Sequence, residues 1–100
     1  MSYSNLSAVT KTADDDAISG RTRVAAIYYT CAGTASSFQL KNGTTSAGTT
    51  LVDIKTPGAA GAYDIIFPDM GVLFDEGVFI DFADANVLSI TLFFYGGAAV

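Results

Sequence analysis

Ten carboxylates and no histidine set the limits on the chemistry that this chain of 100 residues could perform. Histidine is the most frequent general base, the usual activator of serine and cysteine nucleophiles and a common ligand of catalytic zinc. Without it, the remaining enzymatic interpretation is a two-carboxylate hydrolase, whose candidate acids are Asp64, Asp69, Asp75, Glu76, Asp81 and Asp84. Aspartate is also a common turn residue that caps backbone amides. We therefore expect these acids in turns and on solvent-facing strand positions, in a protein that is not an enzyme.

Acidic clusters could also bind calcium, because hard cations prefer several oxygen ligands from loops. Two groups qualify, namely the triplet Asp14-Asp15-Asp16 and the set Asp81, Asp84 and Asn86. The loop pattern of an EF-hand is absent, and no glycine-rich phosphate loop opens a helix. Solvated charge at the triplet and a turn at residues 84–86 are the favoured interpretations, so we expect neither a metal nor a cofactor.

The charge balance argues against polyanionic partners. Five basic against ten acidic side chains give a net charge of −5, which repels phosphate backbones and anionic lipid surfaces. Arg21 and Arg23 beside Tyr28 and Tyr29 could stack on a base or a sugar, but a salt-bridged strand edge is the favoured interpretation. We expect neither nucleic acid nor membrane as a partner, while exposed tyrosines leave glycan binding open.

The single cysteine, Cys31, cannot form an internal disulfide. It ends an apolar run, so a buried thiol is expected rather than a reactive one, in a reducing compartment. The N-terminal residues lack a basic segment followed by an apolar one, and no run of 18 apolar residues occurs. We expect synthesis in a cytoplasm, without a secretion signal or a membrane span.

The composition and the alternation of side chains predict the elements that position these residues. Val, Ile, Phe, Tyr and Thr are abundant whereas Glu occurs once, which favours strands and almost no helix. Strand-like runs at 21–31, 36–40, 50–56 and 62–67, and two more within 77–95, are separated by turns such as Asn42-Gly43 and Pro57-Gly58. These six strands, or seven with an N-terminal one, predict a single antiparallel β-sandwich or a small jelly-roll or Ig-like barrel. Residues 1–20 are expected to form an N-terminal arm, and residues 21–100 the domain.

The last two strands carry apolar side chains on both sides. Val78, Ile80 and Phe82, like Leu88, Ile90, Leu92 and Phe94, share one side, which should be a core face. The opposite side carries Phe79, Phe93 and Tyr95, which either an irregular second sheet or another molecule must cover. We expect another molecule, with a dimer or trimer of the chain, and an interface formed by Tyr3, Leu6, Phe79, Phe93 and Tyr95.

The succession of segments resembles that of a known group of proteins. The segments are RVAAIYYT, SSFQLKNG, TTLVDIKTPGAAGAYDIIFPDMGVLFDEGVFIDF and NVLSITLFFYGG, and they end in Phe94-Tyr95-Gly96. Across residues 21–97 the chain is similar to small virion structural proteins of tailed bacteriophages, particularly those of marine cyanobacterial podoviruses. The resemblance implies a capsid decoration or cement protein that binds the major capsid protein or other virion proteins. The alternative is a tail or head-fibre component that binds host glycans through Tyr28, Tyr29 and the loop at 43–50.

Overall fold

A computed structural model gives the fold of the protein and describes residues 6–100. Eight strands form, namely β1 (Ser7–Lys11), β2 (Asp15–Cys31), β3 (Ser37–Asn42), β4 (Thr49–Lys55), β5 (Gly61–Ile66), β6 (Val72–Phe74), β7 (Gly77–Phe82) and β8 (Val87–Ala99). Every strand pair is antiparallel, and residues 6–100 contain no helix. The all-β prediction is therefore confirmed.

All eight strands belong to one hydrogen-bonded sheet with the order β1-β8-β2-β7-β3-β4, and β5 and β6 pair with β2 beyond this path. Strand β2 serves two parts of the sheet. Its first residues pair with β7, and two of them, Ile18 and Ser19, also pair with the end of β8. Its second half pairs with β8 on one side and with β5 and β6 on the other. Gly20, with a φ of 86°, lies where the two parts meet. Glycine tolerates this left-handed conformation, which lets the strand bend from one part to the other.

The two parts face each other as the layers of a sandwich-like fold. We call β1, β8, the second half of β2, β5 and β6 the front layer, and the start of β2 with β7, β3 and β4 the back layer. Tyr29 of the front layer meets Phe38 of the back layer edge to face, with ring centroids 5.2 Å apart. The inward side chains of both layers join in one apolar cluster. Its largest fully buried members include Phe38, Phe74, Phe94, Ile27 and Ile80.

The alternation predicted for the last two strands holds in β7 and in most of β8. Val78, Ile80 and Phe82 are buried, as are Ile90, Leu92 and Phe94. Cys31 is a buried free thiol, as predicted. The inward placement of Leu88 is wrong, because its side chain is 50% exposed and Val87 is buried instead. A bulge explains the change, since Thr30 pairs with Ser89 but Cys31 pairs with Val87, which leaves Leu88 as the extra residue.

The N-terminal residues take part in the same sheet. Residues 7–11, within the expected arm, form β1 and pair with residues 90–94 of β8 at an edge of the front layer. Residues 15–20 begin β2, and four of them pair with β7. The strand count exceeds the expected six to seven because Val72–Phe74 also pairs with β2. A three-residue segment is too short for its alternation to predict a strand.

Candidate functional site

The outer surface of the front layer, which we call the front face, carries a continuous row of apolar side chains. The strand register aligns Ala8 of β1, Phe93 of β8, Ala26 of β2 and Ile66 of β5 across four neighbouring strands. The adjoining row consists of Tyr95, Arg23 and Leu73. Neighbouring side chains on one sheet face lie close enough to touch. The two rows therefore form an apolar patch interrupted by a single charged group.

Part of this patch is well exposed to solvent. Ile66 is 77% exposed, and Phe93, Tyr95 and Leu73 are half-buried. With strands 4.8 Å apart and a rise of 3.4 Å per residue, each position on one face occupies about 33 Å², so the seven positions of the two rows cover about 230 Å². Contiguous exposed apolar patches larger than a few hundred Å² are rare on single chains, and this patch approaches that size.

The connection between β5 and β6 is anchored to β2 and holds Ile66, at the exposed end of the patch, in place. Ala25 is the extra residue of a bulge in β2, because Val24 pairs with Phe94 and Ala26 pairs with Phe93. The carbonyl of Ala25 accepts a hydrogen bond from the backbone N–H of Phe67 at 3.0 Å, directly after Ile66. Gly71 then passes so close to β2 that a Cβ there would lie 2.0 Å from the carbonyl oxygen of Val24. Ile66 is thus presented by a tightly anchored turn.

Polar side chains border the patch on the side toward the start of β8. Thr10, Thr91, Tyr28 and Asp64 form the next row, and the hydroxyls of Thr10 and Thr91 lie 2.7 Å apart. The hydroxyls of Thr30 and Ser89 lie 2.6 Å apart in the row beyond, which Ala62 completes. A polar rim beside an apolar centre is the usual anatomy of a protein interface.

The outer surface of the back layer, the back face, differs in composition. Lys41 of β3 and Asp81 of β7 form an ion pair at 2.8 Å with both side chains largely covered. Gln39 pairs with Asp81 on one side and with Asp53 on the other. The exposed aliphatic residue of this layer is Leu51, at the bulge of β4, which is 42% exposed. The back face is therefore mostly polar and charged.

The predicted interface residues do not share one surface. Phe93 and Tyr95 lie on the front face, whereas Phe79 pairs with Asp16 and Lys41 on the back face. Grouping all three was wrong because β7 and β8 belong to different layers, so their outward sides point in opposite directions. Leu6 is exposed just before β1. Tyr3 lies outside the described residues.

Sequence reasoning missed Ile66 and Leu73 as members of the front face. The signal for Ile66 was present, because residues two apart on a strand share a side and Ile66 is two residues from the solvent-facing Asp64. Leu73 gave no comparable signal, since it belongs to the three-residue strand β6. Its place beside Arg23 depends on pairing between distant segments.

The six candidate acids are spread over two layers and three turns. Asp64 lies on the front face and Asp81 on the back face, while the others occupy the turns that follow β5, β6 and β7. Asp75 and Glu76 precede β7 and Asp84 follows it, so a six-residue strand separates them. Such a strand is about 17–20 Å long, well beyond the 5–9.5 Å between the two acids of a glycosidase.

Asp14 and Asp84, both considered for calcium binding, are engaged with the protein itself. Asp14 Oδ1 accepts a hydrogen bond from the backbone N–H of Phe82 at 2.7 Å. Asp84 Oδ1 accepts one from the backbone N–H of Asn86 at 2.9 Å and one from Ser36 Oγ at 2.8 Å. These bonds lower the pKa of Asp84. Within residues 6–100, no three His, Cys, Asp or Glu side chains gather in a way that could hold a metal ion.

Asp15 and Asp16 have pKa values shifted in opposite directions. The pKa of Asp15 is lowered by a hydrogen bond from Lys11 Nζ and by one from the backbone N–H of Asp16. The pKa of Asp16 is raised by desolvation and by the neighbouring charge of Asp15. Asp16 Oδ1 is buried without a hydrogen-bond partner, so this carboxylate carries a desolvation cost on the back face.

The two tyrosines proposed for sugar binding lie on opposite sides of β2. Tyr29 is 5% exposed and stacks on Tyr63, with ring centroids 5.5 Å apart, and burial raises the pKa of its hydroxyl. It is a core residue and cannot contact a glycan. Tyr28 is on the front face and 42% exposed. Of these two tyrosines, Tyr28 is therefore the one whose ring a ligand can reach.

No protein-family model matches the sequence, and no curated protein is significantly similar to it. Among residues 6–100, no helix is present that could cross a membrane.

Proposed function

We propose that this protein is a non-enzymatic virion structural protein, most specifically a decoration protein that binds and stabilises a phage capsid through its front face. The observation that carries the proposal is the apolar patch of Phe93, Tyr95, Ile66 and Leu73. Fully burying one exposed side chain of this size stabilises a contact by about 1.5–3 kcal/mol, and a side chain that is already half-buried contributes correspondingly less. The phage assignment itself comes from the resemblance of residues 21–97 to virion proteins.

The size of the patch fits attachment to a repeating lattice. One partner in a standard stable complex contributes about 800 Å², roughly three to four times the area of this patch. A single contact of this kind is weak, because association must also offset lost translational and rotational freedom. A capsid offers many equivalent sites, so copies linked in a dimer or trimer gain affinity by avidity. The major capsid protein is the proposed partner.

The test is sedimentation of the purified protein with mature capsids and with isolated tails of the phage that encodes it. The proposal expects saturable binding to capsids, with a copy number that is a simple fraction of the major capsid protein. Absence of binding to capsids together with binding to tails would contradict the decoration role. A gene outside any phage genome would contradict the virion assignment.

Host-glycan binding is the second candidate, and the exposed ring of Tyr28 beside Asp64 favours it. A tyrosine ring next to a hydrogen-bonding carboxylate can stack on a sugar and fix its hydroxyl groups. This role predicts that host saccharides change tyrosine fluorescence and that Tyr28→Ala abolishes the change. An equal response in Tyr28→Ala would exclude this site.

A further inference from the structure

A groove of about 270 Å³ at one end of the front face contains both arginines of the chain. Its walls are Arg21, Thr22, Arg23, Leu73, Tyr95 and Gly96. It continues the row Tyr95, Arg23 and Leu73, so it adjoins the apolar patch. A cationic groove is unexpected in a chain with net charge −5.

An irregularity in the sheet turns both arginines outward. In the pairing of β2 with β8, Ser19 is opposite Ala98 and Thr22 is opposite Gly96, so Gly20 and Arg21 face a single residue of β8. Thr22 is buried, and its hydroxyl donates to the carbonyl of Gly20 at 2.8 Å. Arg21 and Arg23 flank Thr22 and share the opposite side of the strand. Bulges of this kind often aim side chains at functional sites.

Two glycines of β8 let the floor of the groove form. Gly96 and Gly97 have φ values of 72° and 60°, a region that other residues rarely adopt. A Cβ on Gly97 would lie 2.2 Å from Thr22 Oγ1, and one on Gly96 would lie 2.9 Å from the carbonyl oxygen of Arg21. Because β8 packs this closely on β2, the backbone that carries both arginines is held in position before any partner binds.

Among the described residues 6–100, Arg23 is the basic side chain that has no acidic neighbour. Lys11, Lys41 and Lys55 each lie within 3.2 Å of an aspartate oxygen. Arg21 lies 3.5 Å from Asp75 in a pair with both side chains about two-thirds exposed, which contributes little. For Arg23, no carboxylate of residues 6–100 lies within 4.0 Å. Its guanidinium is therefore available for a carboxylate from another molecule.

We infer that this groove binds a carboxylate on an acidic, partly apolar segment of the protein that covers the front face. The planar fork of arginine matches a carboxylate with two parallel hydrogen bonds. Leu73 and Tyr95 supply apolar surface for the side chain next to that carboxylate. Two cations on an acidic protein are too few to hold a nucleic-acid backbone, which needs several. The inference rests on the front face being a docking surface, but not on which particle supplies the partner.

The test is a titration followed by NMR, with the Nε–Hε signals of Arg21 and Arg23 as the readout. The probe is a blocked peptide that alternates leucine and aspartate, and its matched control replaces each aspartate by asparagine. The acidic peptide should shift both arginine signals saturably, whereas the asparagine peptide should not. Arg23→Gln should weaken binding by roughly tenfold or more, the amount expected for one charge-assisted hydrogen-bonded pair.

Two further variants separate charge from geometry. Arg23→Lys should recover part of the affinity, because it keeps the charge but loses the fork. Lys55→Gln, on the back layer, should bind the acidic peptide like the wild type. Equal affinity of wild type and Arg23→Gln would overturn the inference, and so would saturation by inorganic phosphate with no response to the peptide. Capsid binding that persists in Arg23→Gln would overturn this inference while leaving the proposed function intact.

Discussion

The front and back faces belong to one sheet, yet their outward side chains differ in composition and in pairing. On the back face, the Lys41–Asp81 ion pair and Gln39 border the one aromatic ring, Phe79. On the front face, Phe93 and Ile66 occupy the same row with Ala26 between them, and no charged group lies in that row. The outward side chains of the back face are therefore mostly polar or paired, whereas the front face gains free energy when a partner covers its apolar side chains. This difference supports the proposal that the front face is a docking surface.

The largest expected difference is in the free energy of unfolding of variants on the two sides of β8. Phe94 is fully buried and Phe93 is on the front face. Phe94→Ala should lower the free energy of unfolding by about 3–5 kcal/mol, whereas Phe93→Ala should lower it by about 1 kcal/mol. Urea denaturation measures both values. If Phe94→Ala does not fold, the matched pair Phe94→Leu and Phe93→Leu serves instead, and the loss at Phe94 should exceed the loss at Phe93. Equal losses at Phe93 and Phe94 would mean that the front face is part of a core.

A smaller effect distinguishes the paired charge of the back face from the unpaired charge of the front face. A double-mutant cycle on Lys41 and Asp81 should give a coupling energy of about 0.5–1 kcal/mol, since the pair is short and largely covered. Arg23→Gln should change stability by less than about 0.5 kcal/mol, because no carboxylate of residues 6–100 forms an ion pair with Arg23. Thermal unfolding at low and high salt measures both. A greater loss from Arg23→Gln than from Asp81→Ala would contradict the comparison.

The smallest expected effect is the change of stability with pH. The folded-state pKa of Asp16 is raised, so its ionised form costs stability, and this cost grows as the pH rises through the interval between its unfolded and folded pKa values. Asp84 has a lowered pKa, so it stabilises above its unfolded value and loses this contribution as the pH falls through the folded one. At pH 7, Asp16→Asn should raise the melting temperature and Asp84→Asn should lower it.

The control for the Asp16→Asn and Asp84→Asn variants is the same measurement in acid. Once the pH lies below the folded-state and unfolded-state pKa values of both carboxyl groups, both are protonated in either state, so the differences should shrink toward zero. Melting temperatures across the acidic range provide the measurement. An Asp16→Asn variant that is less stable than wild type at pH 7 would show that the back-face carboxylate has a stabilising partner.

The sequence predicted the all-β fold and most of the core because alternation within one strand is a local property. Alternation alone predicts that Val78, Ile80 and Phe82 point inward, without information on the neighbouring strands. The prediction for Leu88 was wrong because a bulge depends on the register with a distant strand. Here the register is set by the pairing of Cys31 with Val87. Phe79 and Phe93 were assigned to one surface because nothing local shows that β7 and β8 belong to different layers. The arginine groove likewise depends on β6 and β8 meeting β2 from opposite sides.

The measurement that tests the central claim most directly compares capsid binding by Ile66→Asp and Leu51→Asp. Both residues are exposed branched aliphatics, one on the front face and one on the back layer. Each substitution places a single charge on the surface of one layer. Wild type and Leu51→Asp should sediment with capsids to the same extent, whereas Ile66→Asp should bind at least roughly tenfold more weakly, since burying an unpaired charge is costly. Equal binding by the two variants, or a greater loss with Leu51→Asp, would contradict the assignment of the front face as the docking surface.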